Sequence, residues 1–127
     1  MPTARATHAA LVAALTADTN VAAFIGTDGL YFGTVPAGQS LPYVAYQQIA
    51  SSPDQSHVGP SGATERTYQF SCHAATAAQA LELRDAIIAA LDGVALSTGE
   101  VPTLQDERDG PFDETVETFR ADCDFVI

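Results

Sequence analysis

Hydrophobic and polar residues alternate with two different periods along this chain, and the switches between them mark its elements. Leu11 and Leu15, flanked by alanines, fall four apart and predict an amphipathic helix ending near Ala17, capped by Thr3 or Thr7. Asp18–Thr19–Asn20 interrupts that stripe and caps a second, short helical turn over Val21–Ile25, which Gly26 closes. Thr27–Asp28–Gly29 signals a turn, Leu30–Tyr31–Phe32 a short strand, and Val35–Ser40 a Pro/Gly loop. From Pro42 to about Ile49 the period becomes two. Tyr43, Ala45, Gln47 and Ile49 share one face, and Val44, Tyr46 and Gln48 share the other. The first half is apolar on both sides, which predicts a central strand. Residues 51–65 are rich in Ser, Pro, Asp and Gly without any period and predict a long loop. Arg66–Ala74 alternates again, with Tyr68, Phe70, Cys72 and Ala74 opposite Thr67, Gln69, Ser71 and His73.

Thr76 caps the strongest helix, 77–92, whose seam is Ala80, Leu83, Ile87 and Leu91 and whose end is Gly93. Glu82, Arg84 and Asp85 fall outside that seam and are expected to face solvent or a partner. Val101–Gln105 reads as a short strand that Pro102 confines to a sheet edge. Asp106–Glu114 reads as an acidic turn containing Gly110–Pro111. Thr115–Ile127 reads as a last strand, with Phe119, Ala121, Cys123, Phe125 and Ile127 on one face. That strand, fully extended, reaches roughly 43 Å, against about 35 Å for the width of a compact chain of this length. It therefore bends, or it projects and offers an unpaired edge to a neighbouring subunit. The pattern predicts one α+β domain over residues 1–127, with a mostly antiparallel sheet of about four to five strands packed against two main helices.

Composition narrows the function classes. The chain has 127 residues, 46% of them hydrophobic, enough to bury a core without metal or disulfide. Sixteen acids against five bases give a net charge of -11, and all five bases are arginines. Such a surface repels phosphate and anionic lipid, so neither direct nucleic-acid binding nor membrane binding is expected. No apolar run approaches a membrane-spanning length, and no signal-peptide pattern follows Met1, so a cytoplasmic or virion location is expected. Cys72 and Cys123 sit at the phase of the large hydrophobes and read as packed, reduced thiols.

Nothing in the chain assembles into a reaction centre. His8, His57 and His73 are far apart and lack acidic partners at ligand spacing. Ser61 lacks the spacing and the strand-to-helix context of a nucleophile elbow. Asp106, Glu107, Asp109, Asp113 and Glu114 are the one acidic group that could hold a cation, yet they lack the calcium-loop pattern and read as a solvated turn. No glycine-rich phosphate loop is present. The expectation is no catalytic residue, no cofactor and no metal.

The order of the markers carries more than any one of them. An Ala/Leu helix is followed by Val21 through Gly26, Leu30–Tyr31, Pro36–Ala37–Gly38 and Leu41–Pro42–Tyr43–Val44. The strand Gln69–Ser71–Cys72–Ala74 then runs into Thr76 and the Gln79–Ala80 helix, which closes at Ala90–Leu91–Asp92–Gly93. Over about residues 8–93 this series resembles the tail terminator, or tail completion, proteins of long-tailed bacteriophages and gene transfer agents. The acidic turn and C-terminal strand extend the likeness to the end of the chain. Asp28–Gly29 departs from the family pattern, which has a basic residue just before the Leu–Tyr pair.

The resemblance implies a structural virion protein that works as a ring, usually a hexamer, at the head-proximal end of the tail tube. Such a ring ends tube polymerisation and offers a docking face to the head-tail connector protein. Its partners are copies of itself, the tail tube protein and the connector, and DNA passes through without specific binding. Candidate contact surfaces are the 51–66 loop, the acidic 106–115 turn and the free edge of the last strand. Arg66, Arg108 and Arg120 are the expected counter-charges for Asp106, Glu107, Asp109, Asp113 and Glu114, because a guanidinium pairs a carboxylate in a fork. Two other readings fit the same sequence: a different neck, connector or minor tail subunit, and a monomeric ligand-binding domain or enzyme.

Overall fold

The computed structural model describes residues 3–26, 29–33, 35, 40–56, 59–110 and 118–127, with the backbone alone considered over 50–65. Helix α1 spans Ala4–Ala17, and the Thr3 hydroxyl accepts the Ala6 N–H at 3.1 Å, satisfying a donor that the first turn leaves free. Asp18 then caps α2 (Thr19–Ile25), its carboxylate accepting the N–H groups of Asn20 and Val21 at 3.0 Å. Gly26 ends α2 at φ 65°, in the left-handed region that favours glycine. The third helix, α3 (Ala77–Leu91), starts at Thr76, whose hydroxyl accepts the Gln79 N–H. No single helix among the described residues is long and apolar enough to cross a membrane.

Five strands form one sheet: β1 (Leu30–Phe32), β2 (Tyr43–Ser56), β3 (Gly59–Ala74), β4 (Thr103–Asp109) and β5 (Phe119–Val126). Their spatial order is β1-β2-β3-β5-β4, and only β1–β2 is parallel. The architecture is therefore the expected α+β domain with a mostly antiparallel sheet, and α2 joins the two main helices as a shorter third. One face of the sheet is apolar. Val44, Tyr68, Phe70, Cys72, Cys123 and Phe125 pack there against Leu11, Leu15, Val21, Leu83, Ile87 and Leu91. The opposite face carries Tyr43, Ala45 and Gln47 beside His73, Ser71 and Gln69, which lie in turn beside Arg120, Asp122 and Asp124.

Three expectations need correction. Residues 51–65 are paired backbone: β2 and β3 form a hairpin from Tyr43↔His73 outward to Ser56↔Gly59. Serines, prolines and glycines there hide the two-residue period, and the register shifts at Gln48/Ala50 and Pro53/Gln55 break it further. Beyond Thr67 neither β5 nor the three-residue β1 continues alongside, apart from the mutual N–H to carbonyl bonds of Arg66 and Ile127 at 3.2 and 2.8 Å. The projecting element is thus this hairpin and not the last strand. Second, β5 spans eight residues and is paired on both sides, so it has no free edge. Third, Asp106–Asp109 belongs to the edge strand β4 and is not part of a turn. Residues 111–117, including Asp113 and Glu114, lie outside the described residues, as does His57.

Gly29 shows how tightly α2 meets the sheet. Its carbonyl accepts the Val44 N–H at 2.8 Å, fixing β1 to β2. A Cβ built at Gly29 would sit 2.5 Å from the Ile25 carbonyl oxygen and 2.6 Å from the Ile25 Cβ. The obstacle is backbone, so it cannot swing aside as a flexible side chain would. Gly29→Ala is expected to lower the unfolding free energy by about 1–3 kcal/mol, read from urea denaturation; an unchanged midpoint would contradict this close approach.

Candidate functional site

The charged residues that the sequence singles out converge on β4, β5 and the flank of α3. Alternation along β4 divides its acids between the two faces of the sheet. Glu107 and Asp109 pair in register with Cys123 and Ala121, on the face that α3 covers. Arg84 of α3 meets them there, with Nη1 2.8 Å from Asp109, Nε 3.5 Å from Glu107, and a further N–H donated to the Arg108 carbonyl at 3.0 Å. Asp106 and Arg108 pair with Asp124 and Asp122, on the opposite face. Arg108 grips Asp124 through two N–H groups at 2.9 and 3.3 Å and Asp106 through one at 2.8 Å. This fork, led by the hydrogen bond to Asp124, raises the Arg108 pKa above its ordinary value.

Asp122 lies at the centre of this lattice and is only 1% exposed. Arg120 Nε lies 3.3 Å from its Oδ1 and Arg108 Nε 3.9 Å from its Oδ2. The Arg120 approach lacks hydrogen-bond alignment, so Oδ1 is held by charge attraction alone. Five carboxylates (Asp106, Glu107, Asp109, Asp122, Asp124) share three guanidiniums, and the cluster retains negative charge. Among the described residues no group of His, Cys, Asp and Glu has a metal-binding arrangement.

Arg66 is placed differently from Arg108 and Arg120. It stands at the root of the β2–β3 hairpin, and its Nη1 is buried without a hydrogen-bond partner among the described residues. The Tyr68 hydroxyl is orphaned in the same way. Nearby, Glu100 accepts the hydroxyls of Thr7 and Thr98 at 2.7 and 2.8 Å. His8 caps the group, its ring 4.5 Å from Phe32, 5.1 Å from Tyr68 and 5.7 Å from Tyr46. Burial, then the positive charge of Arg66, lowers the His8 pKa below 6.5. Burial likewise raises Tyr46 and Tyr68 above their ordinary values.

The two thiols are free and buried in the helix-side core. They sit diagonally across the β3–β5 ladder, Cys72 opposite Ala121 and Cys123 opposite Phe70, a separation longer than a disulfide spans. Burial pushes Cys123 up to about 12 and Cys72 well above the usual thiol range, so both stay protonated at neutral pH.

Sequence reasoning thus located the acids of β4 and two of their arginines. It missed Arg84, expected to face solvent or a partner, and the carboxylates Asp122 and Asp124 that carry the buried charge. Their signal was present in the alternation Arg120–Asp122–Asp124 on the polar phase of β5.

These features define a two-layer α+β domain whose ion pairs, among the described residues, gather at one sheet edge. The chain matches the family "Tail completion protein gp17" over residues 9–127 and belongs to it. The same fold occurs in a chain of the virion of a native gene transfer agent particle, at TM-score 0.73 and 24% identity, covering 93% of this chain and 90% of that one. No curated protein sequence matches.

Two measurements probe the site. Arg108→Ala removes the fork on Asp124 and one of the two cations beside Asp122 and is expected to cost about 2–3 kcal/mol in urea denaturation, whereas Arg120→Ala, which removes the other cation beside Asp122 and leaves the Asp124 fork intact, should cost less, about 1–2 kcal/mol. Equal losses would contradict the fork. His8 must take up its proton more readily unfolded than folded, so its contribution to stability is present above pH 6.5 and is lost as pH falls through its lowered folded value. His8→Phe should therefore flatten the fall of the urea midpoint between pH 7 and pH 5; parallel curves for the two proteins would contradict the burial of that ring.

Proposed function

We propose that copies of this chain close into a ring, with six the number implied by the family, on the head-proximal end of a tail tube. The ring stops tube growth and presents the surface to which the head connector joins. DNA passes through its centre unbound, because a chain of net charge -11 repels phosphate. The observation that carries this reading is family membership over residues 9–127, almost the whole chain. The fold shared with a chain of a gene transfer agent virion supports it.

Within that ring the charged residues divide into two roles. Arg108 and Arg120 serve their own subunit, together with Asp106, Glu107 and Asp109. Arg66 is the remaining candidate for a contact between subunits, since its buried Nη1 has no partner among the described residues. Asp113 and Glu114 are candidate acceptors for it.

Tube growth in vitro tests the proposal. Adding the chain to polymerising tail tube subunits should halt elongation with one ring per closed end, and Arg66→Ala should weaken this while Arg120→Ala does not. Tubes that elongate unhindered would refute the terminator role. Tails of normal length on heads that leak DNA, seen when the chain is deleted, would favour a connector subunit instead.

A further inference from the structure

Six large apolar side chains stand exposed among the described residues, and four of them lie at the two margins of the sheet. Phe32 is 59% exposed and Ile49 45%, on the β1–β2 side; Val94 is 45% exposed and Val101 48%, on the β4 side. The other two, Val12 and Leu81, lie on helices α1 and α3.

The first pair flanks an unfinished edge. Phe32 ends β1 in register with Tyr46, and β2 runs on past it with no strand alongside among the described residues. Ile49 occupies the register shift three residues further along β2, roughly 11 Å away between backbones. The second pair belongs to the loop between α3 and β4. Gly93 N–H donates to the Pro102 carbonyl at 2.9 Å and Leu96 N–H to the Glu100 carbonyl at 2.7 Å, which folds Val94 beside Val101.

Ile49 and Val101 stand near the same height of the sheet, while Phe32 lies further along, in the row of Tyr46, Phe70, Cys123 and Glu107. Ala50 pairs with Thr67, Thr67 with Val126, and Val126 with Thr103, so one row of residues crosses from the Ile49 margin to the Val101 margin. The two patches are the apolar parts of those margins, and the acids beside the second patch are engaged, Asp92 accepting the Leu104 N–H at 3.0 Å. The acids of β4 begin at Asp106 and are engaged by Arg84 and Arg108, and Glu100 is held by the hydroxyls of Thr7 and Thr98. Copies that each carry a charge of -11 repel one another overall, so a contact between them gains from apolar surface beside any arginine–carboxylate pair. Two unlike patches on opposite margins suit a head-to-tail contact, the type that closes into rings.

We infer that the Phe32–Ile49 margin of one copy docks on the Val94–Val101 margin of the next. The occupant of each patch is a second copy of this chain, and the inference rests on the ring reading above. A partner of another kind would need only one of the two patches.

Cysteine cross-linking tests it. Within one copy Ile49 and Val101 are separated by three strand spacings, about 14 Å, too far for a disulfide. The native thiols are buried and protonated, so they do not compete. Oxidising the double variant Ile49→Cys/Val101→Cys should give a ladder of covalent oligomers ending in a closed species, while each single variant stays one chain. Ile49→Asp or Val101→Asp should raise the half-assembly concentration at least tenfold with the urea midpoint of the subunit unchanged. Dimers from either single variant would show a symmetric contact and overturn the inference. Rings in sedimentation without a ladder, or rings indifferent to both Asp variants, would overturn it and leave the ring reading standing. A wild-type chain that sediments as one copy at all concentrations would overturn both.

Discussion

Burial of one face of β3 and β5 beneath α3 is the constraint on which the rest of the structure depends. Tyr68, Phe70, Cys72 and Ala74 alternate with polar residues along β3, and all four are fully buried. Leu83, Ile87 and Leu91 of α3 come down on that face at helical spacing. Each large side chain buried this way contributes about 1.5–3 kcal/mol. The period of two on the strand and of 3.6 on the helix agree on a single interface. Because the apolar phase of β3 must face α3, its polar phase must face away, and that requirement sets the surface on which Arg108, Arg120, Asp122 and Asp124 meet.

Charge is then arranged around this core so that the acids hold structure instead of opposing it. Two arginines fix the edge strand β4 from both faces, Arg84 from the helix layer and Arg108 from the open side, while Arg120 pairs with Asp122 within β5. Arginine suits this work because its planar fork engages several oxygens at once and keeps its charge when half-buried. The chain nevertheless stays strongly negative. That excess repels other negatively charged surfaces.

Much of this was legible in the sequence, and the failures share a cause. Helix boundaries followed from local chemistry: Thr76 caps α3 as expected, the structure chooses Thr3 over Thr7 for α1 and Asp18 out of Asp18–Thr19–Asn20 for α2, and Gly26 and Gly93 follow the ends of their helices. The faces of β3 followed from alternation. The outer hairpin did not, because Pro53, Gly59, Pro60 and Gly62 are turn-forming types and its pairing is set by the register inherited from Tyr43↔His73. The last strand was correctly read as a strand but wrongly given a free edge, since strand order is a non-local property. Arg84 was assigned outward because it lies one position off the Leu83–Ile87 seam; only the approach of β4 turns that flank inward. The ring of contacts around His8 was invisible for the same reason, being assembled from α1, β1, β2 and β3.

The central claim is that this subunit acts through assembly around a central passage. Electron images of the purified chain, alone and mixed with tail tubes, test it most directly. The account predicts closed rings with an open centre, and in the mixture one such ring on a single end of each tube. Particles the size of one chain under both conditions, with bare tube ends, would contradict it.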